Sequence, residues 1–174
     1  DMRAGLDYEH NTKDAEQNMV MSGMNVFMTY LWPGVETEKI GLFFERDYNN
    51  ISFGLRYDQI ELNPTRAAAD PGSGMMQKTA NEVYTADYDG TIVATKRDFD
   101  NLSGFIRFKK NINNGESYIN LSMNERAPDT TELFNAKNNS TAMMRHVGNP
   151  NLSSERHMTI EVGYEGMLMG NHIK

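Results

Sequence analysis

The chain has 174 residues, with 17 Lys and Arg against 24 Asp and Glu, a net charge of −7 and a pI near 5.1. Nucleic-acid binding is not expected, because it requires a basic face and the positive charges here form no run. The absence of cysteine excludes disulfides and thiolate metal sites. No signal peptide is predicted, and no apolar stretch approaches the roughly 18 residues that a transmembrane helix needs.

Six segments alternate between apolar and polar residues with the period of two that is typical of β-strands. The third, for example, begins ISFGLRYD, in which every second residue is apolar. In chain order the predicted strands are Met2–His10, Lys39–Tyr48, Ile51–Leu62, Leu102–Lys109, Ser117–Arg126 and Met158–Glu165. No long helical period competes with them, so the sequence predicts an all-β, antiparallel fold.

The connections between these strands alternate strictly between short and long. Two tight turns are predicted at Asp47–Asn50 and Lys110–Gly115, and long connections at His10–Glu38, Asn63–Asn101 and Ala127–His157. This asymmetry is typical of transmembrane β-barrels, which have short periplasmic turns and long extracellular loops. A soluble β-sandwich binding module also alternates and remains an alternative. About eight strands are needed to close such a barrel, so residues 1–174 are expected to be part of a larger one.

The last long connection contains recognisable turn and capping signals. Pro128 lacks the backbone donor that a strand ladder requires, so a strand is predicted to end before it. Asp129 and Glu132 have the spacing of a capping box, which predicts a short helical turn through Leu133-Phe134. Asn149-Pro150 predicts a turn before the chain re-enters a strand.

The segment NERAPDTTELFNAKNNSTAMMRHVGNPNLSSE, at residues 124–155, resembles the late-barrel signature of TonB-dependent outer-membrane receptors. Fainter similarity extends through GLDYEHN near the N-terminus and GLFFE and GLRYD further on. The sequence departs from the family at Ser153-Ser154, where many members carry Lys-Pro. The residues that stand in the motif positions are Arg126, Pro128, Glu132, Leu133, Phe134, Gly148, Asn149, Pro150, Asn151, Leu152 and Glu155.

The resemblance implies part of a barrel of about 22 strands in the outer membrane of a Gram-negative cell, surrounded by lipid and lipopolysaccharide. It also implies an N-terminal plug, through which the TonB complex drives import of a scarce metal or metal chelate. Neither the plug nor a TonB-binding segment is expected within these residues. No G-x-S-x-G or comparable nucleophile motif is present, so an enzyme is not predicted.

Thirteen methionines indicate copper as the transported ligand, since thioether sulfur favours Cu(I) and imidazole also suits copper. Several lie in the predicted long connections, including Met75-Met76 in the second. The GLDYEHN strand followed by a methionine-bearing segment also resembles the copper-receptor subgroup of the family. No intrinsic cofactor is predicted. The candidate metal ligands are Met19, Met21, Met24, Met28, Met143, Met144 and His146.

Two alternatives remain for these residues. Methionine is also an adaptable apolar packing residue, and Met2, Met123 and Met158 fall in the apolar strand phase. A siderophore receptor, which binds a ferric chelate, would instead use cationic and aromatic side chains. The candidates for that role are Arg66, Tyr84, Tyr88 and Arg145.

Overall fold

A computed structural model describes residues 1–74, 76–88, 90–112, 115–137, 146–168 and 171–173 of the chain. Its strands form a seven-stranded antiparallel sheet in which every strand pairs with the next one along the chain. The strands are β1 Met2–Met21, β2 Met24–Tyr48, β3 Ile51–Pro64, β4 Arg97–Ile112, β5 Gly115–Arg126, β6 Glu155–Leu168 and β7 Asn171–Ile173. All six predicted strands are confirmed, and β7 is a three-residue addition.

The first long connection is not a loop, and the prediction for His10–Glu38 was wrong in this respect. β1 and β2 continue as a paired hairpin up to Met21 and Met24. Positive φ angles at Ser22 (50°) and Gly23 (80°) allow the two-residue turn that closes it, a conformation matched to the twist of antiparallel strands. The residues before this turn were missed because the register shifts three times between Lys13 and Asn18, which breaks the period of two.

The other two long connections each contain a short helix. Helix α1, Ala80–Asp87, begins after a Thr79–Glu82 capping box. Helix α2, Thr130–Phe134, begins after the predicted Asp129–Glu132 capping box, which is confirmed. Among the described helices, none is long and apolar enough to cross a membrane. The two helical connections and the tip of the first hairpin lie at one end of the strands, which we call the loop end. We call the opposite end of the strands the turn end.

One face of the sheet is apolar towards the turn end, and we call it the apolar face. Register places Leu55, Gly104, Met123 and Met158 in one row across four strands, and Phe53, Ile106, Leu121 and Ile160 in the next. Leu6, Leu42, Leu55, Ile119 and Ile160 are between 47% and 76% exposed. Such a broad, uncovered apolar surface is unusual for a protein in water and fits contact with lipid.

The opposite face, which we call the polar face, carries ion pairs in the same part of the sheet. Arg56 donates to both carboxylate oxygens of Asp58 at 2.7 and 2.8 Å and to Asp7 at 2.7 Å. Lys39 contacts Asp58 at 3.5 Å. Gly41 leaves room for this group, since a Cβ there would lie 2.7 Å from an Asp58 oxygen. The two faces therefore match the lipid side and the lumen side of a polar-lined barrel wall.

Towards the loop end, the strand residues on the polar face are apolar, and the second and third connections cover them. Val35, Leu62 and Phe99 lie on this face and are buried beneath the second and third connections. We call the resulting cluster the loop core. It consists of Val35, Leu62, Ala67, Ala80, Val83, Tyr84, Ala94, Phe99, Leu133, Phe134 and Ala136.

Candidate functional site

The hairpin formed by residues 11–37, here called the methionine hairpin, carries four of the predicted metal ligands. Met21 pairs directly with Met24, and Met19 pairs with Val26. Directly paired residues and residues two apart share one face of a hairpin, so Met19, Met21 and Met24 project on the same side of its tip. Met24 is 66% exposed and Met21 45%.

Met28 differs from these three methionines. It lies next to a register shift of the hairpin and is only 2% exposed. Its carbonyl oxygen accepts a hydrogen bond from the Lys78 N–H at 3.0 Å. Met28 therefore acts as a packing residue in this conformation, whereas Met21 and Met24 at the tip are exposed and Met19 is partly buried.

Aromatic and cationic side chains lie along the lower part of the methionine hairpin. The Phe27 and Tyr30 rings meet edge to face with centroids 4.8 Å apart, and the Arg66 guanidinium lies 5.5 Å from the Tyr30 centroid. Arg66 also pairs with Asp14 at 2.7 Å. The predicted ligand-binding residue Arg66 is thus held beside an aromatic ring. A guanidinium in this position can contact a ligand.

The second connection is attached to this hairpin by Gln77. The Gln77 side-chain amide donates to the carbonyls of Phe27 and Pro71, both at 2.8 Å, and accepts from the Gly74 N–H at 2.7 Å. These bonds bring the segment that contains Met76 alongside β2. The preceding residue, Met75, lies outside the described residues.

The two predicted tyrosines join the second connection to the third. Tyr84 is fully buried in the loop core and donates to the Phe134 carbonyl at 2.8 Å. Tyr88 is half-buried and donates to the Val147 carbonyl at 3.0 Å. Burial raises the pKa of Tyr84, and burial followed by the nearby Asp87 charge raises that of Tyr88. In this conformation both hydroxyls hold loops together.

The family motif connects the third connection to the barrel wall. Arg126 donates to both oxygens of Glu132, at 2.8 and 2.9 Å, and to Glu155 at 3.1 Å. The Arg126 contact and the Asp129 N–H, which donates to Glu132 at 2.7 Å, lower the pKa of Glu132 to about 2. The motif arginine therefore attaches α2 to β5 and β6.

The glycine of the motif allows a close backbone contact. The Gly148 N–H donates to the Asn135 carbonyl at 2.7 Å, and a Cβ on Gly148 would lie 2.7 Å from the Leu133 carbonyl carbon. Leu133, Phe134 and Pro150 are fully buried. These buried or closely packed motif residues therefore hold the third connection in place in this conformation.

The remaining predicted ligands are not all described by the structure. Met143, Met144 and Arg145 lie outside the described residues. His146 is exposed and adjoins Val147, which bridges to Ala136. In the described part of the chain, no group of three or more His, Asp and Glu residues is arranged to hold a metal ion.

Sequence reasoning missed two features of this region. The Thr79–Glu82 spacing, read T-x-x-E, was a usable signal for the start of α1. The aromatic residues Tyr30 and Trp32 were also missed. In the structure, the Lys13 ammonium lies 4.2 Å from the Trp32 ring centroid. The sequence predicts a loop over these residues, whereas the structure places them on a paired hairpin.

Comparison with solved structures gives the same architecture. The structure titled "Copper transporter OprC" superposes with a TM-score of 0.63 at 18% sequence identity. The alignment covers 95% of this chain and 25% of that one, so the chain spans about a quarter of that protein. At this identity, the likeness concerns the fold alone. No curated protein matches the chain in sequence.

The amino-acid sequence also matches a family model. The model described as "TonB dependent receptor-like, beta-barrel" matches residues 2–172, which is nearly the whole chain. The predicted partial antiparallel β-barrel is therefore confirmed, and the family is one of receptors and not of enzymes. The chain belongs to the β-barrel family of TonB-dependent receptors.

Proposed function

We propose that the chain is part of an outer-membrane receptor that imports copper with energy supplied by the TonB complex. The family assignment supports the receptor class, and the exposed apolar face supports insertion in a lipid bilayer. The loop end then corresponds to the extracellular side, and the methionine hairpin extends from it. TonB would act through a plug outside the barrel segment.

Copper is proposed as the ligand because Met19, Met21 and Met24 project from the same face of the methionine hairpin. Three thioethers offer a soft, uncharged donor set, which selects Cu(I) over harder ions such as Ca²⁺ or Mg²⁺. Two of the three side chains are well exposed at the hairpin tip. The fold similarity to a protein titled "Copper transporter OprC" supports the same proposal.

Gln77 and Lys78 support this site from the side. Their bonds to the backbone of Phe27 and Met28 hold the hairpin against the second connection. A hairpin fixed in this way presents its donors with less conformational freedom to lose, which favours binding.

A ferric chelate is the second candidate ligand. The cation–aromatic contacts of Arg66 with Tyr30 and of Lys13 with Trp32 favour it, because anionic and aromatic chelates bind such surfaces. These residues lie lower on the hairpin than the tip methionines. The two ligand classes therefore predict different sensitive residues.

The test is titration of the purified full-length receptor with Cu(I), using a chromophoric Cu(I) chelator as competitor. Replacing Met19, Met21 and Met24 together by Leu should weaken binding by roughly tenfold or more. Met28→Leu is the matched control and should leave the affinity unchanged. An unaltered affinity in the triple variant would exclude the hairpin tip as the site. Binding of a ferric catecholate chelate that Arg66→Ala weakens, without Cu(I) binding, would favour the second candidate.

A further inference from the structure

Residues 71–74 of the second connection fold around the side chain of Gln77. Its amide Nε2 donates to the Pro71 carbonyl at 2.8 Å, and its Oε1 accepts from the Gly74 N–H at 2.7 Å. The Gln77 N–H also donates to the Gly74 carbonyl at 2.9 Å. Both glycines are needed for this arrangement, because a Cβ at Gly72 or Gly74 would lie 2.7 Å from a Gln77 amide atom. We call this unit the Gln77 anchor.

The Gln77 anchor attaches the second connection to the β2 side of the methionine hairpin. The same Nε2 donates to the Phe27 carbonyl at 2.8 Å, and the Lys78 N–H donates to the Met28 carbonyl at 3.0 Å. Ala80, two residues further on, is fully buried in the loop core together with a valine from the base of the hairpin. The second connection and β2 therefore descend side by side from the tip towards the loop core.

Met76 comes just before the contacts with Phe27 and Met28, so it lies on the tip side of them. Counting back by one residue on each segment places it level with Val26, which pairs directly with Met19. The backbone hydrogen bond between the two segments sets them roughly 5 Å apart, the spacing of neighbouring strands. The Met76 side chain is 40% exposed. A further thioether therefore lies beside the tip methionines.

The three tip methionines approach a bound metal ion from one side only. Met19, Met21 and Met24 project from the same face of the hairpin, so a Cu(I) ion held by them keeps an open coordination position. Sulfur ligands commonly surround closed-shell ions tetrahedrally, and thioethers favour Cu(I). Methionine is unbranched and flexible, which lets a side chain from a neighbouring segment reach such a position.

We propose that the Met76 thioether is the fourth ligand of this copper site and that the Gln77 anchor positions it. The anchor restricts the backbone beside Met76 before the metal binds, so less conformational freedom is lost on binding. The inference rests on the copper site proposed above and adds a ligand from a second element of the chain. Bound copper then joins the methionine hairpin to the second connection.

The first experiment is the same Cu(I) competition titration of the full-length receptor. Met76→Leu keeps an apolar side chain of similar size but removes the sulfur, and it should weaken binding about tenfold. Met158→Leu is the matched control, since Met158 is 73% exposed on the apolar face, and it should leave the affinity unchanged. An unchanged affinity in Met76→Leu, or an equal loss in both variants, would overturn the inference.

This titration also separates the fourth ligand from the copper proposal itself. If replacing Met19, Met21 and Met24 together by Leu weakens binding and Met76→Leu does not, only the fourth ligand is excluded. If the wild-type receptor does not bind Cu(I), the copper proposal is excluded and the fourth ligand with it.

Gln77→Ala tests the positioning role of the anchor. It should weaken Cu(I) binding more in the wild-type background than in Met76→Leu, because part of its effect passes through the Met76 sulfur. An equal loss in both backgrounds would mean that Gln77 only stabilises the hairpin, and the positioning role would be overturned.

NMR of the receptor labelled with ¹³C-methyl methionine reports contact with the metal at each side chain. Cu(I) is diamagnetic, so the Met76, Met21 and Met24 signals should all shift when Cu(I) is added. The signal of Met28, which is buried, should stay in place. A Met76 signal that does not move while those of Met21 and Met24 do would overturn the inference.

Discussion

The turn-end and loop-end halves of the same strands follow opposite rules for where apolar side chains lie. In β3, Phe53, Leu55 and Tyr57 are on the uncovered apolar face, whereas Ile60 and Leu62 are on the polar face and contact the loop core. The same change occurs in β4 between Leu102 and Phe99. A strand therefore does not have one buried face along its length, because the material that covers it changes from lipid to loops.

The charged residues also change faces between the two halves of the sheet. At the turn-end level, Arg56 and Asp58 form ion pairs on the lumen side. At the loop end, charged residues such as Glu38 and Glu61 lie on the face of the sheet that is apolar towards the turn end. The point of exchange, near residues 58–60 in β3, marks the boundary of the apolar band on the side of the loop end. Three changes test this division.

The largest effect is expected from removing a loop-core aromatic. Phe134→Ala should lower the free energy of opening the loop core by about 3–5 kcal/mol, because it leaves a cavity beneath α1 and α2. Hydrogen exchange of the α1 and α2 amides in the full-length receptor measures this. Phe53→Ala, on the lipid-facing side, is the control and should leave those amides unchanged. Equal deprotection by both variants would contradict separate coverings for the two halves.

The next effect concerns the apolar face itself. Leu121→Arg should lower the free energy of barrel unfolding in a bilayer by about 2–4 kcal/mol, the cost of a cation facing lipid near the membrane centre. Ser122→Arg places the same side chain on the polar face and should cost much less. Guanidinium unfolding in liposomes gives both values. If Ser122→Arg were the more damaging change, the assignment of the two faces would be reversed.

The smallest effect is a pH dependence at the family motif. The pKa of Glu132 is lowered from 4.5 to about 2, so its contacts stabilise the loop fully above pH 4.5 and are lost as pH falls towards 2. Solvent screening limits the size of this term, since the side chain is 38% exposed. Exchange of the α2 amides should therefore accelerate between these pH values in wild type.

Glu132→Gln should abolish that acceleration, whereas Glu82→Gln in the capping box of α1 should retain it. A pH dependence of the α2 amides that survives in Glu132→Gln would assign it to another group.

Much of the wall was predictable because lipid and lumen impose an uninterrupted period of two on residues such as Leu55 and Ile119. The loop end was less predictable for two physical reasons. The bulges near Lys13 and Asn18 remove the alternation that identifies a strand. The loop core joins residues that are distant in sequence, such as Tyr84 and Phe134, and no local pattern reports such contacts. The methionines were visible in the sequence, but their common face required the register.

The strictly consecutive strand order has a consequence for assembly. Each long pairing joins neighbours in the chain, so the sheet can grow by adding one hairpin at a time without waiting for a distant partner. The loop core, in contrast, requires the connections after β3 and β5 to meet. We therefore expect the sheet to form progressively and the loop core to close only once both of these connections are present.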